Sequence, residues 1–198
     1  MPDKPDLAAL LGSRICHDLI SPIGAISNGL ELLMMDGSVS GPEVALISES
    51  VGNAGARIRF FRVAYGSVIG DQRLSRAEVR SVLSDMTRGG RLQIDWETAA
   101  DLPRADVKVI FLLIQCLENA MPYGGRIYVA VSDGRWIITG QAPRLKIMPE
   151  LWEVLVSAAT ATEFTPAQVQ FPLVAQEIAR RRLRLTTEFS ETEIRLSF

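Results

Sequence analysis

Over residues 5–70 the apolar positions recur at helical intervals. Leu7, Leu11, Ile15, Leu19, Ile23, Ile26, Leu30 and Leu33 follow one another at steps of four or three. Val44, Ile47, Val51, Ala54, Ile58, Phe61, Tyr65 and Val68 alternate three and four throughout, which is a heptad seam. Between the two runs, residues 35–42 (MDGSVSGP) read as a turn, with Pro42 and Glu43 opening the next helix. The pattern predicts a long antiparallel helical hairpin. Two helices alone leave much of each apolar stripe open. Pairing two hairpins closes both stripes in a four-helix bundle, and twofold dimers are the commonest oligomers, so a homodimer is predicted.

Beyond residue 70 the period changes. Asp71–Arg73 reads as a linker. Ser75 followed three residues later by Glu78 is a capping box, which predicts a helix over Ser75–Thr87. Leu92, Ile94 and Trp96 alternate with polar neighbours, as on a strand, and Asp106–Met121 is a strongly apolar helix. Ile127–Val131 and Trp136–Thr139 flank Asp133-Gly134, a hairpin signal. Helices are expected over about Glu150–Ala158 and Pro166–Arg182, and Leu183–Phe189 with Thr192–Phe198 close the chain as another hairpin. This half is α+β, with helices on a mostly antiparallel sheet. The predicted domains are residues 1–71 and 72–198.

Composition narrows the chemistry. The 198 residues carry a net charge of −2, which gives no support to nucleic-acid binding. Cys16 and Cys116 form no CxxC pair, and two thiols with one histidine build no usual zinc site, so no metal site is expected. Nor do they support a disulfide framework, which suits a reducing compartment. No apolar run approaches the roughly 18 residues of a spanning helix, and MPDKPDLAAL lacks a signal-peptide layout. The expectation is a cytoplasmic protein with neither a membrane nor a nucleic acid as partner. Arg180, Arg181, Arg182 and Arg184 form a basic run suited to a helix C-terminus or to an acidic partner. Trp96, Trp136 and Trp152 read as packing residues, and Gly52, Gly55 and Ala56 as a close helix contact.

Any histidine chemistry passes through His17. With Leu19 at zero on a helical wheel of about 100° per residue, His17 falls about 160° away, on the face opposite the apolar stripe. Its neighbours there are Ser13, Arg14, Ser21, Gly24 and Asn28, small or polar groups that leave an imidazole open. A solvated surface histidine is one reading of this position. A nucleophile is the other, because a neutral imidazole is available near neutral pH. Asp18 is placed to orient the ring through Nδ1 and leave Nε2 free. Pro22, inside the periodic run, removes a backbone hydrogen bond and predicts a kink just beyond the histidine.

His17-Asp18-Leu19-x-x-Pro22 resembles the phosphoacceptor box of sensor histidine kinases, H-[E/D]-[I/L]-x-x-P. The longer stretch RICHDLISPIGAISNGLELL, residues 14–33, is similar to the ChpT-type histidine phosphotransferases of alphaproteobacterial cell-cycle phosphorelays. The resemblance implies a dimeric kinase-like helical bundle followed by an α/β sandwich like a kinase ATP-binding (Bergerat) domain. In that second part Gln115–Ala120 resembles the Asn-box, with Asn119 at the magnesium-binding position, and Gly124–Val129 resembles the strand after it. The next boxes depart from the kinase pattern. Gly140 stands where the adenine-reading Asp belongs, Ala142 and Arg144 replace glycines, and Gln168 and Gln170 replace the glycines of the lid. Nucleotide binding and autokinase activity are therefore not expected, Asn119 is vestigial, and no cofactor is expected. Arg144 keeps an anion contact open.

The expected function is phosphoryl transfer between receiver-domain aspartates through His17. Asp18 orients the ring, Ser13, Arg14, Ser21 and Gly24 meet the phosphate or the receiver, and Ile20 supplies apolar contact. By the resemblance, the donor is the receiver domain of a hybrid kinase, the acceptors are response-regulator receivers, and magnesium sits on the receiver. A sensor-less active kinase and a non-catalytic dimerisation module are the alternatives.

Overall fold

The computed structural model describes residues 7–35, 37, 41–98, 101–157 and 164–198, and within the first helix it leaves the side chains of residues 7–11, 13, 14, 17 and 18 undescribed. Most of the expected turn after Met35, and Ala158 at the end of an expected helix, lie outside the described residues.

Helix α1 (Leu7–Met35) runs without a break through Pro22, and α2 (Pro42–Ala64) returns beside it. Pro42 occupies the first turn of α2, where its missing N–H costs no intrahelical bond, with Glu43 beside it at the positive end of the helix dipole. Two inter-helix contacts fix the register. Gly12 lies against Tyr65, and Gly55 lies against Ile23. A Cβ at Gly12 would press on Tyr65 at 3.3 Å, whereas one at Gly55 would meet Ile23 at an ordinary 3.5 Å and one at Gly52 would meet nothing within 4 Å, so the close helix contact expected of Gly52 and Gly55 does not require glycine there.

The chain then alternates short elements: β1 (Arg73–Leu74), α3 (Arg76–Thr87), β2 (Leu92–Glu97), β3 (Leu102–Pro103), α4 (Arg104–Ala120), β4 (Gly125–Ser132), β5 (Arg135–Gln141), α5 (Pro149–Val156), a 3-10 turn (Pro166–Gln168), α6 (Gln170–Arg181), β6 (Thr186–Phe189) and β7 (Glu193–Ser197). Ser75 caps α3, its side chain accepting from the Glu78 N–H at 3.1 Å. Five strands form one sheet in the order β2-β4-β5-β7-β6. The β2–β4 pair is parallel and the others antiparallel. The inward residues of β4, β5 and β7, Ile127, Val129, Ile138, Ile194 and Leu196, are fully buried beneath the helices. The alternate positions, such as Arg126, Gln141 and Arg195, are exposed, so the α/β part is a two-layer sandwich. All three tryptophans are buried.

The hairpin exit is built into this core. Phe60 of α2 stacks on Phe111 of α4, with ring centroids 4.6 Å apart. Tyr65 Oη donates to Gln115 Oε1 at 2.7 Å, and Arg104 donates to the Arg62 carbonyl at 2.8 Å. Lys108 Nζ, buried in α4, donates to the Gly66 carbonyl at 3.1 Å and pairs with Glu177 of α6 at 3.0 Å. A Cβ at Gly66 would overlap the Arg62 carbonyl.

Three local expectations are corrected. Arg73 belongs to β1, not to a free linker, because Arg73 and Leu74 pair with Pro103 and Leu102; a two-residue ladder is too short to leave an alternation signal. Pro166–Arg182 is two pieces, a 3-10 turn closed by a Thr165–Gln168 capping box and then α6. The deepest residues of α2 are not its heptad seam but Ala56, Phe60, Val63 and Ala64, of which Phe60, Val63 and Ala64 join the core of the second half of the chain.

Candidate functional site

The site is built on α1 from the backbone upward. Positions 13, 14, 17 and 18 lie on the helical backbone one to two turns before Pro22, and their side chains, those of Ser13, Arg14, His17 and Asp18, lie outside the described residues. Further along, Ile20 is half-buried, while Ser21 and Gly24 are exposed. Nothing stands within 4 Å of where a Cβ on Gly24 would be, so the helix face beyond position 17 is open to an approaching surface.

The other faces of α1 are accounted for separately. Cys16 and Ile23 turn toward α2, where Cys16 is buried and Ile23 meets Gly55, and Leu30 is half-buried. Burial pushes the Cys16 thiol above the ordinary cysteine range, with the nearby Arg62 charge opposing. Ile15, Leu19, Ile26 and Leu33 remain 45–49% exposed, as does Ile47 on α2. The apolar stripe read from the sequence is thus split between one edge against α2 and one edge left open.

On the His17 side runs a groove of about 630 Å³, with α1, α2 and the end of α3 as its walls. Ile20 and Gly24 line it from α1, and Arg59 and Arg62 from α2. Asp85 and Arg88 close it from α3, where Asp85 accepts from Arg59 at 3.0 Å and from Arg88 at 2.5 Å. Sequence reasoning did not find this guanidinium cluster. Its local signals are the three-residue spacings of Arg59 with Arg62 on α2, off the heptad seam, and of Asp85 with Arg88 on α3; the two pairs join only through the packing of α3 on α2.

The Asn-box region has been rebuilt. Gln115, at the position of its first residue, accepts the Tyr65 hydroxyl and so holds the hairpin. Asn119 is half-buried in the last turn of α4. The segment after β5 folds down onto that turn, with the Lys146 N–H donating to the Ala120 carbonyl at 2.8 Å and Ala142 buried against Gly125. Gly140 packs on Leu117, leaving no carboxylate to read a purine there. These residues do not fit a magnesium-nucleotide. Arg144 lies over the Tyr123 ring at 5.6 Å, and among the described residues no three His, Cys, Asp or Glu side chains gather at metal-binding range. The basic run at the end of α6 is partly engaged within the chain. Arg180 pairs with Glu177, and Arg181 with Asp106 and the Ala105 carbonyl. Among the described residues no helix is long and apolar enough to cross a membrane.

Comparison with known proteins gives this geometry a family. The protein phosphotransferase ChpT of Brucella abortus (strain 2308) is 36% identical over 171 residues, spanning 83% of this chain and 81% of that one. The solved structure of a bacterial phosphotransferase superposes with a TM-score of 0.68 at 29% identity, covering 100% of this chain and 97% of the other. A histidine kinase domain from an Erythrobacter litoralis blue-light activated histidine kinase matches more distantly, at 15% identity and a TM-score of 0.48 over 98% and 93% of the two chains. Residues 76–193 match the family described as the histidine phosphotransferase C-terminal domain. The chain belongs to the histidine phosphotransferase family.

Proposed function

We propose that His17 is the phosphoacceptor through which this protein passes phosphoryl groups between the aspartates of two receiver domains. The observation that carries the reading is that a member of a histidine phosphotransferase family has one histidine, and that this histidine lies on α1 beside an open face. An imidazole nitrogen lone pair forms a bond to phosphorus as the bond to the donor's carboxylate oxygen breaks, and the carboxylate leaves. The second receiver reverses the sequence with its own aspartate, so no water and no nucleotide enter the balance. Magnesium would come with the receivers, whose acidic clusters hold it and neutralise the transferred charge.

Around His17 we assign Asp18 to orienting the ring, Arg14 to the phosphate by charge, and Ser13, Ile20, Ser21 and Gly24 to contact with the receiver. Residues 1–71 form the dimerising phosphotransfer unit and 72–198 a kinase-like unit that has left nucleotide chemistry behind. The half-exposed Ile15, Leu19, Ile26, Leu33 and Ile47 support a four-helix bundle made by two copies, because a stripe of this kind is stabilised by burial against its own image. The resemblance of residues 14–33 points to the cytoplasm, with a hybrid-kinase receiver as donor and cell-cycle response regulators as acceptors.

The test is label transfer. Receiver domains from the same genome, each carrying radioactive phosphate on its aspartate, are mixed in turn with the purified protein without ATP. Acid-labile label is expected on the wild-type chain and not on His17→Ala. Equal label on both chains, or none on the wild type from any receiver, would overturn the reading.

A further inference from the structure

We infer that Arg62, flanked by Arg59 and Arg88, is a positioning residue that draws the anionic face of a phosphorylated receiver into register with His17. The inference rests on the phosphotransfer reading above, and it assigns a role to residues outside the phosphoacceptor box.

Register puts the cluster at the right level. Gly12 against Tyr65 and Ile23 against Gly55 set position 17 of α1 across from about position 60 of α2. Arg59 and Arg62 bracket that level, and the groove they line continues along α1 through Ile20 and Gly24, on the stripe to which position 17 belongs.

Charge is left over there. Asp85 sits between Arg59 and Arg88, one carboxylate for two guanidinium groups. Arg62 has no ion pair among the described residues. Its charge is felt on both sides, opposing the burial-driven rise of the Cys16 thiol and adding to the burial that holds Arg104 below the usual arginine range. Besides Asp85, the described acids of the groove are Glu31 and Glu49, which line it toward the hairpin turn and away from the Arg62 end. Counted over the described residues, the groove is therefore positive beside the phosphoacceptor level and negative at its far end. That polarity fits one occupant, a folded receiver presenting an aspartyl phosphate amid its carboxylates. A guanidinium at the rim steers such a surface and can reach phosphoryl oxygens with paired N–H donors.

The experiment measures transfer from an aspartyl-phosphorylated receiver that labels His17, against donor concentration and salt. Arg62→Gln is expected to lower kcat/KM by about tenfold or more, chiefly through KM, and to flatten its salt dependence, as the loss of a steering charge does. Arg62→Lys should restore much of the salt dependence but less of the rate, since a lysine keeps the charge and loses the fork. Arg88→Gln should show the same pattern more weakly, and Arg195→Gln on the open sheet face should behave as wild type. The inference is overturned if Arg62→Gln and Arg88→Gln both keep the wild-type rate and salt slope, or if Arg62→Gln lowers the rate with the salt slope intact. Loss of His17-dependent labelling altogether would strike the reading beneath it instead, so the two failures are distinguishable.

Discussion

Helices α1 and α4 are both rich in apolar residues, and the fold treats them in opposite ways. Eleven residues of α4 are buried, from Val107 to Ala120, and even Lys108 is enclosed with its partner Glu177. On α1, by contrast, Ile15, Leu19, Ile26 and Leu33 stay close to half exposed. The difference lies in what surrounds them. Helix α4 has α2 and α6 packed on it and the sheet beside it, whereas α1 has α2 on one edge. Apolar periodicity reports that a face is to be buried, not that the burying surface belongs to the same chain.

Four changes would sharpen or break this contrast. Phe111→Ala removes the ring stacked on Phe60 and is expected to destabilise by roughly 3–5 kcal/mol, read by urea unfolding. Glu177→Gln leaves Lys108 buried with a neutral partner, and about 3 kcal/mol of stability should go with it. This variant also carries a pH signature. Burial alone would raise the Glu177 carboxyl, but its bonds to Arg180 and Lys108 outweigh burial and hold it below the usual carboxylate range. The pair's contribution is thus complete above the unfolded carboxyl value of about 4.5 and is lost as pH falls through the lower folded value. Wild-type stability should fall over that acid window more steeply than that of Glu177→Gln, and parallel acid limbs would refute the assignment. Tyr65→Phe deletes the hydroxyl given to Gln115 and should cost about 1 kcal/mol. The smallest effect on the fold is expected on α1. Leu19→Glu should shift monomer unfolding by less than about 0.5 kcal/mol, and by sedimentation it should be monomeric at concentrations where the proposed wild-type dimer is expected to form. A large loss of monomer stability in Leu19→Glu would mean that the open stripe is covered from within.

Much of this architecture was legible in the residues. The Ser75–Glu78 cap, the Asp133-Gly134 turn and the apolar run of α4 are local signals, and each element formed where its signal stood. His17 is proposed on a different ground: a scarce residue type beside a recognisable box needs no tertiary information. What escaped is what depends on neighbours far along the chain. The buried face of α2 is set by α4, so Phe60 and Val63 carry more of the core than the heptad positions beside them. The β1–β3 ladder joins pairs of residues nearly thirty positions apart. The Arg59–Asp85–Arg88 cluster exists only because the end of α3 lies across α2, and the three-residue spacing of Asp85 and Arg88 does not announce that Arg59 joins them.

The junction at Gly66 has a mechanical consequence. Phe60 on Phe111, Tyr65 on Gln115 and the Lys108 ammonium shared by Gly66 and Glu177 clamp the foot of the hairpin at separate points. A catalytic arm that ferried ATP to a histidine on α1 would need slack at this foot. Here these contacts would have to break before the hairpin could swing against the sandwich, so a partner that docks on the hairpin meets a braced wall.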